Sequence, residues 1–162
     1  MRAAETIRLL LSSRNSIARQ GVRKLLSHDA SIQIVGEVKR PLEVVSESMR
    51  LNPDFVLMDV DMTRSVALDL IRRMRQAKQG MGILLFSTWN EPDHIEQCLL
   101  AGANDYMPDT ASSAELLRML HSKSDFRRRI LPRTTRGSGR QNGAALLASQ
   151  DYPLQIEIRK KR

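Results

Sequence analysis

Between residues 6 and 122 a short apolar run gives way to a longer amphipathic segment five times, and no other feature of the chain limits its fold so tightly. Runs that are apolar at nearly every position must be buried on both faces, which calls for a parallel sheet with crossover helices on each side. The runs are Ile7-Arg8-Leu9-Leu10-Leu11, Ile32 to Val38, Phe55-Val56-Leu57-Met58, Gly82-Ile83-Leu84-Leu85-Phe86 and the brief Asp105-Tyr106-Met107. Right-handed crossovers leave few topologies for five such units. The expected fold is therefore an α/β, doubly wound five-stranded parallel sheet in the order 2-1-3-4-5, flavodoxin-like, with helices on both faces.

The intervening segments carry helix signals. Ile17, Val22, Leu25 and Leu26 can share one face of the first helix. Pro41 can start the second, which must close before Asn52-Pro53. Val66, Leu70, Ile71 and Met74 line the third, and Asp69, Arg72, Arg73 and Arg75 are read as its solvated face. The fourth runs from Pro92 to Ala101, with Gly102 suited to a left-handed cap. Ser112 or Ser113 can cap the fifth, which carries Leu116, Leu117 and Leu120.

Charge divides the chain in two. Residues 1–122 hold 15 basic and 15 acidic side chains, whereas 123–162 hold 11 basic and 3 acidic, so the whole excess of +8 lies in the last quarter. Two units follow: a domain over 1–122 and a basic C-terminal tail over 123–162, expected to be flexible. Within the tail, Leu154-Gln155-Ile156-Glu157-Ile158 alternates like a strand but is too short to fold alone. A basic tail can contact nucleic acid without sequence preference. Phe126 and Tyr152 are too few for base stacking, and the tail is too short for a helical DNA-binding domain.

A single cysteine, Cys98, precludes an internal disulfide and points to a reducing compartment. With no long apolar run and no signal-like start, the expected location is the cytoplasm. Cys98 is placed in the core, while His28, His94 and His121 are read as surface or capping residues without partners at metal spacing.

In such a fold function gathers at the carboxyl ends of the strands, here Leu11 to Arg14, Met58 to Asp61, Ser87 to Trp89 and Met107 to Asp109. Taken in order, Val35-Gly36-Glu37-Val38, Pro53-Asp54-Phe55-Val56-Leu57-Met58-Asp59-Val60, Ala101-Gly102-Ala103-Asn104-Asp105-Tyr106 and Ala114-Glu115-Leu116-Leu117 resemble the receiver domain of bacterial two-component response regulators. The likeness is greatest to the subgroup normally fused to a helix-turn-helix DNA-binding module, and it covers about residues 5–122.

The resemblance implies a role for each strand-end residue. Asp59 stands at the phosphoacceptor position. Ser87 and Tyr106 match the hydroxyl and aromatic switch positions. The acidic pair that helps hold Mg²⁺ in the family is replaced by Ser13 and Arg14, and the lysine that contacts the phosphoryl group by Asp109. Phosphoryl transfer rests on positioning and charge neutralisation, and a guanidinium beside the site repels a divalent cation. Mg²⁺ binding is accordingly expected to be weak or absent, with no other cofactor. Arg14 is expected to lie near the carboxylates of Asp59 and Asp109 as a tethered cation.

The resulting expectation is an atypical response regulator with a degenerate phosphorylation site, a regulatory protein–protein interaction module and not an enzyme. Its contact face, for a protein partner or a second copy, is the surface of the fourth helix, fifth strand and fifth helix, including Leu100, Asn104 and Arg118. Two alternatives stand beside it: a conventional receiver phosphorylated on Asp59, and a DNA-associated transcriptional regulator that uses the tail. A metabolic enzyme on this fold has no glycine-rich phosphate loop or nucleophile–base pair to support it.

Overall fold

A computed structural model describes residues 6–88 and 91–122. Trp89 and the tail expected over 123–162, with Phe126, Tyr152 and Leu154 to Ile158, lie outside the described residues. So does the whole of Arg133–Arg162, the second of the two units into which the chain divides.

Among the described residues five strands and five α-helices alternate: β1 Ile7–Ser12, α1 Ser16–Leu26, β2 Ile32–Val38, α2 Val44–Leu51, β3 Phe55–Asp59, α3 Arg64–Ala77, β4 Gly82–Ser87, α4 Pro92–Ala101, β5 Asp105–Pro108 and α5 Ser113–His121. All the strand pairs are parallel, in the order β2-β1-β3-β4-β5. The doubly wound sheet expected from the apolar runs is the one observed.

Side chains alternate across this sheet and divide the core in two. On one face Leu10, Val56, Met58, Ile83 and Leu85 meet Val44 of α2, Leu70, Ile71 and Met74 of α3, and Cys98 of α4. On the other, Leu9, Leu11, Phe55, Leu57 and Leu84 meet Leu26 of α1 with Leu116 and Leu120 of α5. Gly82 is fixed by this packing, because a Cβ there would stand 2.1 Å from the Phe55 ring on the paired strand.

The helix ends follow from local chemistry. Asn15 caps α1, its side-chain oxygen accepting from the backbone N–H of Ile17 and Ala18. Pro41 opens a 3-10 turn that leads into α2, and Asn52, at a φ of 49°, closes that helix in the left-handed region. Of the two serines that could cap α5, Ser112 does so, in a reciprocal capping box with Glu115.

Three residues depart from the sequence reading. Ile17 is 79% exposed instead of sharing the inward face of α1. At 100° per residue it stands about 140° from Val22, and the inward side is formed by Ala18, Arg19, Val22, Leu25 and Leu26. His94 is not at the surface but 2% exposed, one turn before Cys98, whose Sγ lies 3.9 Å from both its ring nitrogens. Burial and the nearby Arg64 guanidinium both lower the His94 pKa, favouring a neutral ring.

Arg75 is the third. Its neighbours Arg72 and Arg73 are exposed, but Arg75 is half-buried and clamps the ends of two strands. Its guanidinium donates to the carbonyls of Gly102 (2.7 and 3.0 Å), Met81 (2.8 Å) and Gln79 (2.6 Å), and to Asn104 Oδ1 (2.7 Å). These carbonyls leave α4 and enter β4 with no ladder partner, and the five donors of a guanidinium suit them. Arg75→Met should therefore lower unfolding stability in urea by about 2–3 kcal/mol by stranding several carbonyls, against under about 0.5 kcal/mol for the exposed Arg73→Met.

Candidate functional site

The carboxyl ends of β1 and β3 lie side by side and bring Ser13 to Asp59. Asp59 is the last residue of β3, and Ser13 follows β1 directly, 1% exposed. Ser13 Oγ donates to Asp59 Oδ2 at 2.7 Å, while Oδ1 accepts from the backbone N–H of Asp61 at 2.9 Å. Each carboxylate oxygen thus carries a donor from the protein. The Ser13 hydroxyl also accepts from the backbone N–H of Asn15 at 3.0 Å.

Arg14 shares with Asp59 an open pocket of about 380 Å³, whose other lining residues are Asn15, Pro41, Asp61 and Met62. Its guanidinium does not bridge the carboxylates as expected: Nη2 donates to the backbone carbonyl of Asp61 at 2.9 Å. Among the described residues no ion pair joins Arg14 to Asp59 or Asp109. The reason is reach and satisfaction. Ser13 and the Asp61 N–H already hold Asp59, and Asp109 is exposed three strands from β1, beyond β3 and β4.

On the far side of Asp59, Ser87 ends β4 in a buried position and pairs with Pro108 of β5. The Tyr106 ring is buried, and its hydroxyl donates to the Ser87 carbonyl at 3.2 Å, the carbonyl that also accepts from the Asp109 N–H. Burial holds the Tyr106 phenol above its ordinary pKa, the Ser87 hydrogen bond opposing this in part. Among the described residues, no three His, Cys, Asp or Glu side chains converge in a way that could hold a metal ion.

The residues read as a contact face differ from one another. Leu100 is 72% exposed on α4, and Arg118 is exposed on α5. Asn104 is turned inward, its Oδ1 accepting from the Ile83 N–H at 2.7 Å and from Arg75, so the side-chain oxygen serves the sheet and not a partner. His121 is exposed, as the sequence suggested, and its Nε2 lies 2.7 Å from Asp29 Oδ2.

The sequence reading overlooked Asn15 and Arg19, and it placed Asp61 at the functional edge without foreseeing that its backbone N–H and carbonyl would do the work. Asn15 could have been found as the polar residue preceding a helical run. Arg19 and Asp61 carried no comparable signal, since one acts through a carbonyl and the other through its own backbone.

A doubly wound parallel sheet with an aspartate at the tip of its central strand, and a buried serine and tyrosine on the strands beyond, defines a receiver-type signalling domain. Residues 14–121 match the response regulator receiver domain, and the chain belongs to that family. It is 30% identical over 129 residues to a protein-glutamate methylesterase/protein-glutamine glutaminase of a Nocardioides species, covering 78% of this chain and 34% of that protein. It is 27% identical over 117 residues to the nitrate/nitrite response regulator NarL of Escherichia coli, covering 72% of this chain and 54% of NarL. The chain thus spans from a third to somewhat over half of these relatives' lengths. Among solved structures, the receiver domain of a Mycobacterium tuberculosis NarL superposes with a TM-score of 0.69 at 22% identity, covering 75% of this chain and 98% of that one. The response regulator domain of Thermotoga maritima CheB does so with 0.65 at 20%, covering 74% and 97%.

The Asp29–His121 contact yields a pH prediction. The Ser31 hydroxyl, then His121, then the Ser31 N–H hold the Asp29 carboxyl down to about 2. A depressed folded-state pKa adds stability that is present above the ordinary aspartate range and is lost as pH falls toward about 2. Between about pH 4 and pH 2 the urea midpoint should fall less steeply in Asp29→Asn than in wild type, as measured by circular dichroism.

Proposed function

We propose that this chain is an atypical receiver, a regulatory module of two-component signalling whose Asp59 site is held by protein groups in place of Mg²⁺ and a phosphoryl group. The observation that carries this reading is the occupation of both Asp59 oxygens, by the Ser13 hydroxyl and the Asp61 N–H.

The family implies Mg²⁺, and the donor set does not fit it. A divalent cation of this size demands several oxygen ligands in octahedral array. Here Asp59 is already engaged, and the neighbouring Asp61 carbonyl accepts from Arg14, whose positive charge lies in the same pocket. Asp109, where the family has a cationic side chain, offers no positive charge to a phosphoryl group.

With the chemistry of transfer weakened, the remaining role is binding. Exposed Leu100 and Arg118 support an interaction face on α4, β5 and α5 for a protein partner or a second copy of the chain. The E. coli NarL relative is a response regulator, and a structural neighbour is a LuxR-family response regulator from Aurantimonas, which favours the subgroup that joins a receiver to a DNA-binding module. The basic residues 123–162 would then add non-specific attraction to nucleic acid. Among the described residues no helix is long and apolar enough to cross a membrane, compatible with a cytoplasmic regulator. The methylesterase relative does not make this chain an enzyme, because the match covers only 34% of that protein.

Incubation with acetyl phosphate and Mg²⁺ followed by intact-mass measurement tests the proposal. The expected spectrum shows no added phosphoryl mass. A substantial addition that disappears in Asp59→Asn would establish a conventional receiver instead. Titration calorimetry gives a second measure: Arg14→Asp, which reverses the charge in the pocket, should tighten Mg²⁺ binding by about tenfold or more over wild type. Equal affinities would show that Arg14 is not what excludes the metal.

A further inference from the structure

The Ser13 hydroxyl can serve Asp59 only if the residue carrying it is held still, and the structure places a buried cation behind it. Arg19, one turn into α1, is 8% exposed, deeply buried for a guanidinium. Its Nη1 donates to the Ser13 carbonyl at 2.7 Å, and its Nε lies 3.3 Å from Glu37 Oε2 on β2, off the direction of a hydrogen bond. Glu37 is largely buried and pairs from its outer side with exposed Arg23. A buried guanidinium with a carboxylate beside it and a loop carbonyl as its acceptor is costly to remove, because the ion pair offsets the burial of its charge while the charge-assisted hydrogen bond sets the position of the carbonyl.

Both backbone polar groups of Ser13 are thereby tied to β2. Its N–H donates to the Val38 carbonyl at 3.1 Å, and its carbonyl reaches Glu37 through Arg19. The side chain follows. A serine hydroxyl has one proton, and the Asn15 N–H already donates to its oxygen, so that proton is directed at Asp59 Oδ2.

We infer that Arg19 is the positioning residue of this site: anchored by Glu37, it holds Ser13 in the orientation that keeps its hydroxyl on Asp59. Regulation of the site then reaches Asp59 from the β2 side, opposite to Ser87 and Tyr106. This deepens the proposed function, resting on the reading of Asp59 as held by protein donors. The two fail separately, because the test below reads a hydrogen bond and not phosphorylation.

The test is a double-mutant cycle on the full chain, read by the Asp59 ¹³Cγ resonance at one fixed pH and assigned by its loss in Asp59→Asn. Ser13→Ala should displace the resonance. Arg19→Met should displace it in the same direction by at least about half as much, and by less than about a fifth of that when added to Ser13→Ala, as expected for residues acting through one network. An Arg19→Met resonance at the wild-type position overturns the inference, as does an equal displacement with and without Ser13, or none in Ser13→Ala. Should Arg19→Met fail to fold, Glu37→Gln keeps the shape of the anchor and removes its charge. It should give a smaller displacement of the same sign that vanishes in Ser13→Ala, and its absence overturns the inference equally.

Discussion

The central strand β3 is buried on both faces, and everything else in the domain is arranged around that constraint. Phe55, Val56, Leu57 and Met58 are almost wholly excluded from water, flanked by β1 and β4 and covered by helices above and below. A strand in this position can accept a charge only at its end, and Asp59 is its last residue. The loops after β1 and β3 leave the sheet at the same edge, since neighbouring parallel strands in near-register must, and they supply the groups that satisfy the carboxylate, Ser13 from the first and the Asp61 N–H from the second.

What satisfies it gives this receiver its character. A carboxylate at such an edge can be balanced by a metal, by a cation or by hydrogen-bond donors. Here the donors are a buried hydroxyl and a backbone N–H, while the nearest guanidinium in the pocket rests on a carbonyl. The attraction between opposite charges is not directional enough to overrule a carbonyl within reach, and an exposed ion pair gains little over water. Arg14 therefore adds positive charge to the pocket without binding either carboxylate.

The same preference explains the arginines of α1 and α3. Arg19 and Arg75 occupy helical positions that a charge pattern assigns to solvent, yet both are drawn inward by carbonyls that no ladder or helix satisfies. Their guanidinium heads cap the ends of loops. His94 is buried by a related logic, packed beside Cys98 as a neutral ring, where its size counts for more than its charge.

Read alone, the chain determined the strand order, the two-sided core, the helix limits at Asn52, Gly102 and Ser112, and the placing of Ser13, Asp59 and Ser87 at the carboxyl ends of their strands, whereas the second helix begins at Val44 and not at Pro41. These follow from apolar periodicity and local capping, which act between neighbours in sequence and so are written there. The partners of Arg14, Arg19, Arg75, Asn104 and His121 were decided only by the tertiary structure. Each bond joins groups whose distance is set by how the strands stack, such as Asp29 to His121 across 92 residues, and several of the acceptors are backbone carbonyls that every residue possesses. A sequence names its side-chain donors but not which carbonyls the finished sheet will leave without a partner.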